Sequence, residues 1–218
     1  MSSSSIIVIE IKEVSKLYPN KSGIQNINAK FTSGQLNLLV GKNGSGKTTL
    51  LKCIMGVVRY QGKIIRNRSV IGYAPEDYVM PYFMSVYDFL QSIGKIKDCP
   101  KISLEQEINE LLAYFELTEY ANRHFGALSN GMRQKVNLIQ AFLNRPKTII
   151  LDEPLHGLDQ ESQSKIMKLI KERVKESLVL ISTHYPELYK TRKKSLYMME
   201  EGVLYDRNNQ AAVSLSLE

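Results

Sequence analysis

The chain has 218 residues, 43% hydrophobic and 23% charged, with 13 Gly and 7 Pro, which suits one to two domains with a sizeable core. Collagen-like, mucin-like and wholly disordered chains are excluded, and the longest apolar runs, such as Ile6 to Ile9 and Leu178 to Ile181, fall far short of the ~20 residues that cross a bilayer. Lys and Arg number 29 against 22 Asp and Glu, a balance of +7 that favours anionic partners without choosing among nucleic acid, lipid headgroups and nucleotide phosphates.

Met1 to Ser5 and the apolar residues after them lack the basic flank and length of a secretory signal, which places the protein in the cytoplasm. Ile7 to Val14 and Ile24 to Phe31 read as strands; in the second, Ile27, Ala29 and Phe31 alternate with Asn26, Asn28 and Lys30, as on a half-exposed sheet. Leu36 to Val40 is continuously apolar, the pattern of a strand covered on both faces, and stops at Gly41. An amphipathic segment, Lys47 to Met55, follows, and a strand from Ile71 runs into Pro75-Glu76. Helices are predicted over Ser85 to Ile93, Ser103 to Phe115 and Asn130 to Leu143. The second opens on a Ser103-x-x-Gln106 capping box and carries Ile108, Leu111, Leu112 and Phe115 on one face. The buried-strand pattern returns at Thr148 to Leu151 and Leu178 to Ser182. Between these, Asp159 caps a helix with a stripe of Ile166, Leu169, Ile170 and Val174. Leu196 to Met199 and Val203 to Tyr205 flank Glu201-Gly202 as a closing hairpin. Three buried strands, each ending in polar residues, make a parallel α/β core interrupted by a helical insertion.

Cys53 and Cys99 are far apart in unrelated contexts and read as reduced packing residues. The basic cluster of Lys190, Arg192, Lys193 and Lys194 reads as a solvated face; no aromatic stacking platform accompanies it, so no nucleic acid is expected as a partner. His124 and His156 have no placement that sets them apart.

Gly41-Lys42-Asn43-Gly44-Ser45-Gly46-Lys47-Thr48 matches G-x-x-x-x-G-K-[ST] between a buried strand and a helix. Such glycines let backbone N–H groups form a nest for phosphate oxygens, to which the helix N-terminus adds positive charge. Lys47 would bridge the β- and γ-phosphates, Thr48 would offer its hydroxyl to Mg2+, and Asn43, Gly44, Ser45, Gly46 and Thr49 complete the cradle. The strand from Thr148 to Leu151 then delivers Asp152 to the Mg2+ shell and Glu153 to a water. Two adjacent carboxylates at the end of a buried strand call for a metal, a water network or a phosphate-bearing partner, because burying one unpaired charge costs several kcal/mol.

With Leu128-Ser129-Asn130-Gly131-Met132 just before a helix, the sequence from Ile7 to about Tyr205 resembles the ATP-binding-cassette (ABC) ATPases, whose LSGGQ signature this segment is similar to. The resemblance implies a P-loop NTPase core with a mixed, mainly parallel sheet, an N-terminal antiparallel β subdomain and an inserted α-helical subdomain. It puts residues 1–218 in one ABC ATPase domain, with the insertion at 77–145. It further implies ATP and Mg2+ as cofactors, Tyr18 stacked on adenine, Gly157-Leu158-Asp159 as the D-loop, and His184 as the switch histidine at the γ-phosphate, acting with Glu153 and Lys47. Two subunits would meet head to tail, with Ser129 and Gly131 of one completing the nucleotide site of the other.

Two departures stand out. Glu76 occupies the position of the family's usual Gln; its carboxylate is a possible Mg2+ ligand that adds negative charge near the γ-phosphate. Asn130 and Met132 replace the usual Gly and Gln of the signature, while Ser129 and Gly131 are intact. Pro75-Glu76 and Asn130 to Lys135 are similar to bacterial ATPases that drive export of drugs, lipids or antimicrobial peptides. The resemblance then implies separate polytopic membrane subunits and a peripheral location on the inner face of the cell membrane. Tyr78, Val79, Met80, Tyr82, Phe83 and Met84 are the segment expected to receive a helix of that partner. The competing reading, a soluble nucleotide-controlled clamp, predicts a long heptad insertion or a second P-loop, which the sequence lacks. A binding-only sensor is disfavoured by intact Lys47, Asp152, Glu153 and His184.

Overall fold

The computed structural model describes residues 6–20, 22–67 and 69–208; the reading of Met1 to Ser5 and the tail from residue 209 lie outside these. In chain order the elements are β1 (Val8–Leu17), β2 (Gly23–Thr32), β3 (Leu36–Val40), α1 (Lys47–Met55), β4 (Gln61–Arg66), β5 (Ile71–Ala74), α2 (Val86–Ile96), α3 (Lys101–Tyr114), α4 (Asn130–Phe142), β6 (Thr148–Asp152), α5 (Gln160–Arg173), β7 (Leu178–Thr183), β8 (Lys194–Glu200) and β9 (Val203–Asp206).

β1, β2 and β4 form an antiparallel sheet in the order β2-β1-β4, with Ile9 opposite Phe31 and Val14 opposite Ile27. β1 continues three residues past the alternating run seen in the sequence. Its register slips on both sides of Val14, and Glu13 sits at φ 52°, so the period of two is broken there while pairing goes on. β4 has no counterpart in the sequence reading. Gln61, Gly62 and Lys63 are exposed, and an edge strand with so little apolar alternation gives no signal.

The second sheet has the order β5-β6-β7-β3-β8-β9, parallel except for β9, which closes a hairpin on β8 as the Glu201-Gly202 turn predicts. Its inner strands β3, β6 and β7 are buried along their whole length because both faces are covered. Leu39, Ile150 and Leu180 point with Leu50, Leu51 and Ile54 of α1 toward the antiparallel sheet. Leu38, Ile149, Leu151 and Ile181 meet Ile139 and Phe142 of α4 and Ile166 and Ile170 of α5 on the other side. Each fully buried aliphatic side chain contributes about 1.5–3 kcal/mol relative to exposure, so a two-faced strand has twice the incentive of a half-exposed one.

The insertion holds α2, α3 and α4. The expected capping box at Ser103 and Gln106 does not form. α3 starts two residues earlier, behind Pro100, whose φ of −59° already suits a helix start. Ser103 Oγ instead donates to the Pro100 carbonyl (2.9 Å) and Gln106 Nε2 to Glu110 Oε1 (2.8 Å). The apolar face is as expected, with Leu104, Ile108, Leu111, Leu112 and Phe115 buried. Asp159 does cap α5, accepting from the Ser162 amide at 2.8 Å. Both cysteines are free, Cys53 inside the core.

Candidate nucleotide site

Four parallel strands deliver polar residues to one edge of the sheet: β3 leads into Gly41, β6 into Glu153, β7 into His184 and β5 into Pro75-Glu76. Carboxyl ends of parallel strands are where open α/β sheets place ligands. β7 lies between β3 and β6, with Ser182 opposite Asp152 and Thr183 opposite Val40.

The loop from Gly41 to Thr48 is braced from the far end of the sequence. The Gly202 amide donates to the Ser45 carbonyl (3.0 Å), and the Gly202 carbonyl accepts from the Gln25 amide (2.9 Å). A Cβ on Gly46, at φ 104°, would lie 2.8 Å from Ile24 Cγ2, so this position requires glycine on two counts. α1 begins at Lys47 with no side-chain cap, which leaves its first-turn N–H groups open to an anion. Asn43, Gly44, Gly46, Lys47, Thr48, Thr49 and Glu76, with Ser22 and Gly23, line a hollow of about 270 Å³.

Behind this hollow the charged groups are buried and interlocked. Lys47 Nζ donates to the carbonyls of Gly41 (2.7 Å) and Lys42 (3.2 Å) and stands 3.6 Å from Glu153 Oε1. Thr48 Oγ1 donates to Asp152 Oδ2 at 2.8 Å, and Ser182 Oγ donates to Asp152 Oδ1. Burial pushes the Asp152 carboxyl above its usual range; the hydrogen bonds from Ser182 and Thr48 and the Lys47 charge pull it back, while Glu153 pushes it further up. Glu153, 4% exposed, adopts φ 46°, and its amide is anchored on the Ser182 carbonyl and hydroxyl at 3.2 Å each. His184 Nδ1 lies 2.9 Å from Glu153 Oε1 without hydrogen-bond alignment. Both atoms, and Ser45 Oγ, are buried with no hydrogen-bond partner. Unpartnered polar atoms beside an uncapped helix start and a Thr–Asp oxygen pair fit a Mg2+-bound nucleoside triphosphate.

Other expected residues stand apart from this hollow. Tyr18 is half-buried, its amide donating to the Ser22 carbonyl and its ring 5.0 Å from Lys16 Nζ; it is not among the lining residues, although the turn it opens is. Ser129 caps α4 by accepting from the Met132 amide, and neither it nor Gly131 lines the hollow of their own chain. Asp159 is exposed, with its carboxyl held below the ordinary range by hydrogen bonds from Ser162. Ser22 and Gly23 of the hollow were missed, as were two residues beside it. Ser182 was legible as the polar end of a buried strand, whereas His156, 3.8 Å from Glu76, gave no signal.

Glu76 lines the hollow and also a cavity of about 140 Å³ shared with Asn130, Gln134, Glu153 and His156. Burial raises its carboxyl above 4.5, and Asp152, Glu153 and Asp77 raise it further, against a lowering by His156. A carboxyl raised in the folded state binds its proton more tightly there than in the unfolded chain, so its ionisation lowers stability as pH rises through that interval. Glu76→Gln is therefore expected to raise the melting temperature at neutral pH, with the gain vanishing as pH falls below about 4.5. Thermal melts of both proteins across that range check it; a gain independent of pH would remove the ionised carboxyl as its cause.

The family described as ABC transporter matches residues 24–156. An uncharacterized ABC transporter ATP-binding protein of Bacillus subtilis, YxlF, is 30% identical over 184 residues, 81% of this chain and 62% of that protein. A spermidine/putrescine import ATP-binding protein, PotA of Borreliella afzelii, is 27% identical over 90% of this chain and 61% of its own length. The chain thus spans under two thirds of either relative. The solved structure of an ATP-binding subunit of an ABC transporter superposes with a TM-score of 0.87, covering 97% of this chain and 95% of that one, at 24% identity, a likeness of fold.

Proposed function

The chain belongs to the ABC transporter family, and on that premise we propose that it is an ATP-binding and ATP-hydrolysing subunit that drives transport through separate membrane subunits. The observation that carries this reading is the buried ring of Lys47, Thr48, Asp152, Glu153 and His184 behind an uncapped helix start.

Thr48 and Asp152 would hold Mg2+, which supplies Lewis acidity at the phosphate oxygens when bound. Lys47 exchanges its two backbone carbonyl partners for phosphate oxygens, and the α1 amides take the remaining charge. Glu153 accepts a proton from the attacking water as the water oxygen bonds to the γ-phosphorus and the β–γ bridging bond breaks. His184, beside Glu153, would donate to the transferring phosphoryl group. Ser129, Gly131 and the N-terminus of α4, left outside their own chain's hollow, are available to the nucleotide of a second subunit. That makes ATP the bridge of a head-to-tail pair, and hydrolysis opens it.

Among the described residues no helix is long and apolar enough to cross a membrane. Next to Glu76, Val79, Tyr82 and Phe83 are 95%, 60% and 80% exposed, an apolar surface suited to a membrane-subunit helix. Met80 is 5% exposed and belongs to the core instead. Export, with location on the inner membrane face, is the finer proposal, resting on Pro75-Glu76 and Asn130 to Lys135; the similarity to an import protein stands against it. Purifying the tagged protein from host membranes in mild detergent is expected to recover a polytopic membrane protein in stoichiometric amount, identified by mass spectrometry. Recovery with cytosolic partners alone would sink the transport reading, and the identified membrane partner tells export from import.

A further inference from the structure

We propose that three amides on α4, Gln134, Asn137 and Gln140, are positioning residues that fix the signature-bearing end of this helix against the segments carrying Glu76 and Glu153. The inference rests on the reading of Ser129 and Gly131 as contacts to a second subunit's nucleotide.

The three residues recur at i, i+3 and i+6, so they share one helix face. That face turns toward the core: Gln134 is 7% and Asn137 2% exposed, in a helix whose other inward residues are aliphatic or aromatic. Each amide nitrogen meets a backbone carbonyl. Gln134 Nε2 donates to Pro154 (3.4 Å), Asn137 Nδ2 to Pro75 (2.9 Å) and Gln140 Nε2 to Tyr73 (2.5 Å). Carbonyl oxygens only accept, which fixes the orientation of each amide. The amides also join one another, Asn137 Nδ2 to Gln134 Oε1 (3.4 Å) and Gln140 Nε2 to Asn137 Oδ1 (3.5 Å).

The acceptors are the informative part. Tyr73 and Pro75 lead directly into Glu76, and Pro154 directly follows Glu153. The row therefore ties the helix that begins at Ser129 to both carboxylate-bearing turns. The backbones are also in direct contact here: a Cβ on Gly72 would lie 1.8 Å from the Ala141 carbonyl. An apolar row would hold α4 by contact area alone, which tolerates sliding along the helix axis. Directional bonds to three fixed carbonyls specify one position. At the far end Lys97 Nζ donates to the Gln140 carbonyl and Asn144 Nδ2 to the Lys97 carbonyl (2.7 Å), which carries the same link into α2.

The test replaces the amides with apolar groups, Asn137→Leu with Gln140→Leu, in the full chain. Spin labels at exposed Asn109 on α3 and Lys63 on β4, in a Cys53→Ala, Cys99→Ser background, read the distance between insertion and core. The expected result is a broadened distance distribution. In a Glu153→Gln background, the ATP concentration for half-maximal dimer formation should rise by ~10- to 100-fold. ATP affinity of the monomer, whose hollow the amides do not line, should stay the same. Gln140→Arg in place of Gln140→Leu returns a donor and should recover part of the loss. An unchanged distance distribution and dimer threshold would overturn the proposal. If Glu153→Gln with the amides intact forms no ATP-dependent dimer, the reading of Ser129 and Gly131 fails, and the distance distribution alone decides the positioning role. Should the double variant fail to fold, Gln140→Leu alone, at the half-buried end of the row, carries the same readouts.

Discussion

Glu153→Gln is expected to reduce ATP turnover by about 10²-fold or more while nucleotide binding persists and the closed pair of subunits accumulates. The amide is nearly isosteric with the carboxylate and keeps its place, because the backbone at Glu153 is pinned by the Ser182 carbonyl and hydroxyl rather than by its own side chain. Lys47 keeps its contacts to the Gly41 and Lys42 carbonyls, so the phosphate-binding cation is undisturbed. What is lost is a proton acceptor that stands next to both Lys47 and His184. Removing that charge also relieves Asp152, whose carboxyl Glu153 helps to raise, which offsets part of what Lys47 loses with its partner. Phosphate release, retained ATP and size-exclusion chromatography measure the three parts. Hydrolysis at the parental rate would remove Glu153 from its role.

Lys47→Met should lower ATP affinity by ~10- to 150-fold, the range set by losing a charge-assisted hydrogen bond of about 1.5–3 kcal/mol. It should also cost stability, for a separate reason. Lys47 Nζ is 3.6 Å from Glu153, and the two side chains are 6% and 4% exposed, so removing the cation leaves a buried carboxylate short of a partner. Breaking such a pair costs about 3 kcal/mol. Lys47 also lowers the Asp152 carboxyl, which without it rises further. Folded-state carboxyls moved upward lose stability as pH rises through the raised range and recover it on acidification, so the deficit should be full at neutral pH and shrink below it. Urea unfolding across pH checks the sign, and Lys47→Met with Glu153→Gln should recover most of the loss if the stranded charge is its origin. A deficit that ignores both pH and the second substitution would assign it to packing instead.

The parts of the molecule that were legible in the sequence are those where one local rule decides. Leu36 to Val40, Thr148 to Leu151 and Leu178 to Ser182 could only be strands covered on both faces, and Gly41 to Thr48 could only follow one of them. β4 was invisible because an edge strand starting Gln61-Gly62-Lys63 carries no apolar alternation, and its partner β1 is bulged where the two run side by side. The start of α3 was misplaced because a capping-box pattern inside a helix looks like one at its start, and Pro100 outranked it. His156 and the α4 amides acquire their meaning only through partners distant in sequence, Glu76 for the first and the carbonyls of Tyr73, Pro75 and Pro154 for the others. Polar residues at helical spacing on an otherwise apolar face were the one available sign of the amide row.

The brace on the phosphate loop has a consequence for the order of folding. The loop near residue 45 is held by the amide of Gly202, and Asp152 is bonded to a threonine 104 residues earlier in the chain. Nearly the whole polypeptide must therefore be present before its earliest motif takes its final shape, and such non-local closure is slow and late. A chain emerging from the ribosome displays the glycine-rich segment long before it can hold a nucleotide with full affinity. ATP would then act as a ligand of the finished molecule, drawing the last closure of the sheet forward by mass action and leaving incomplete chains unselected.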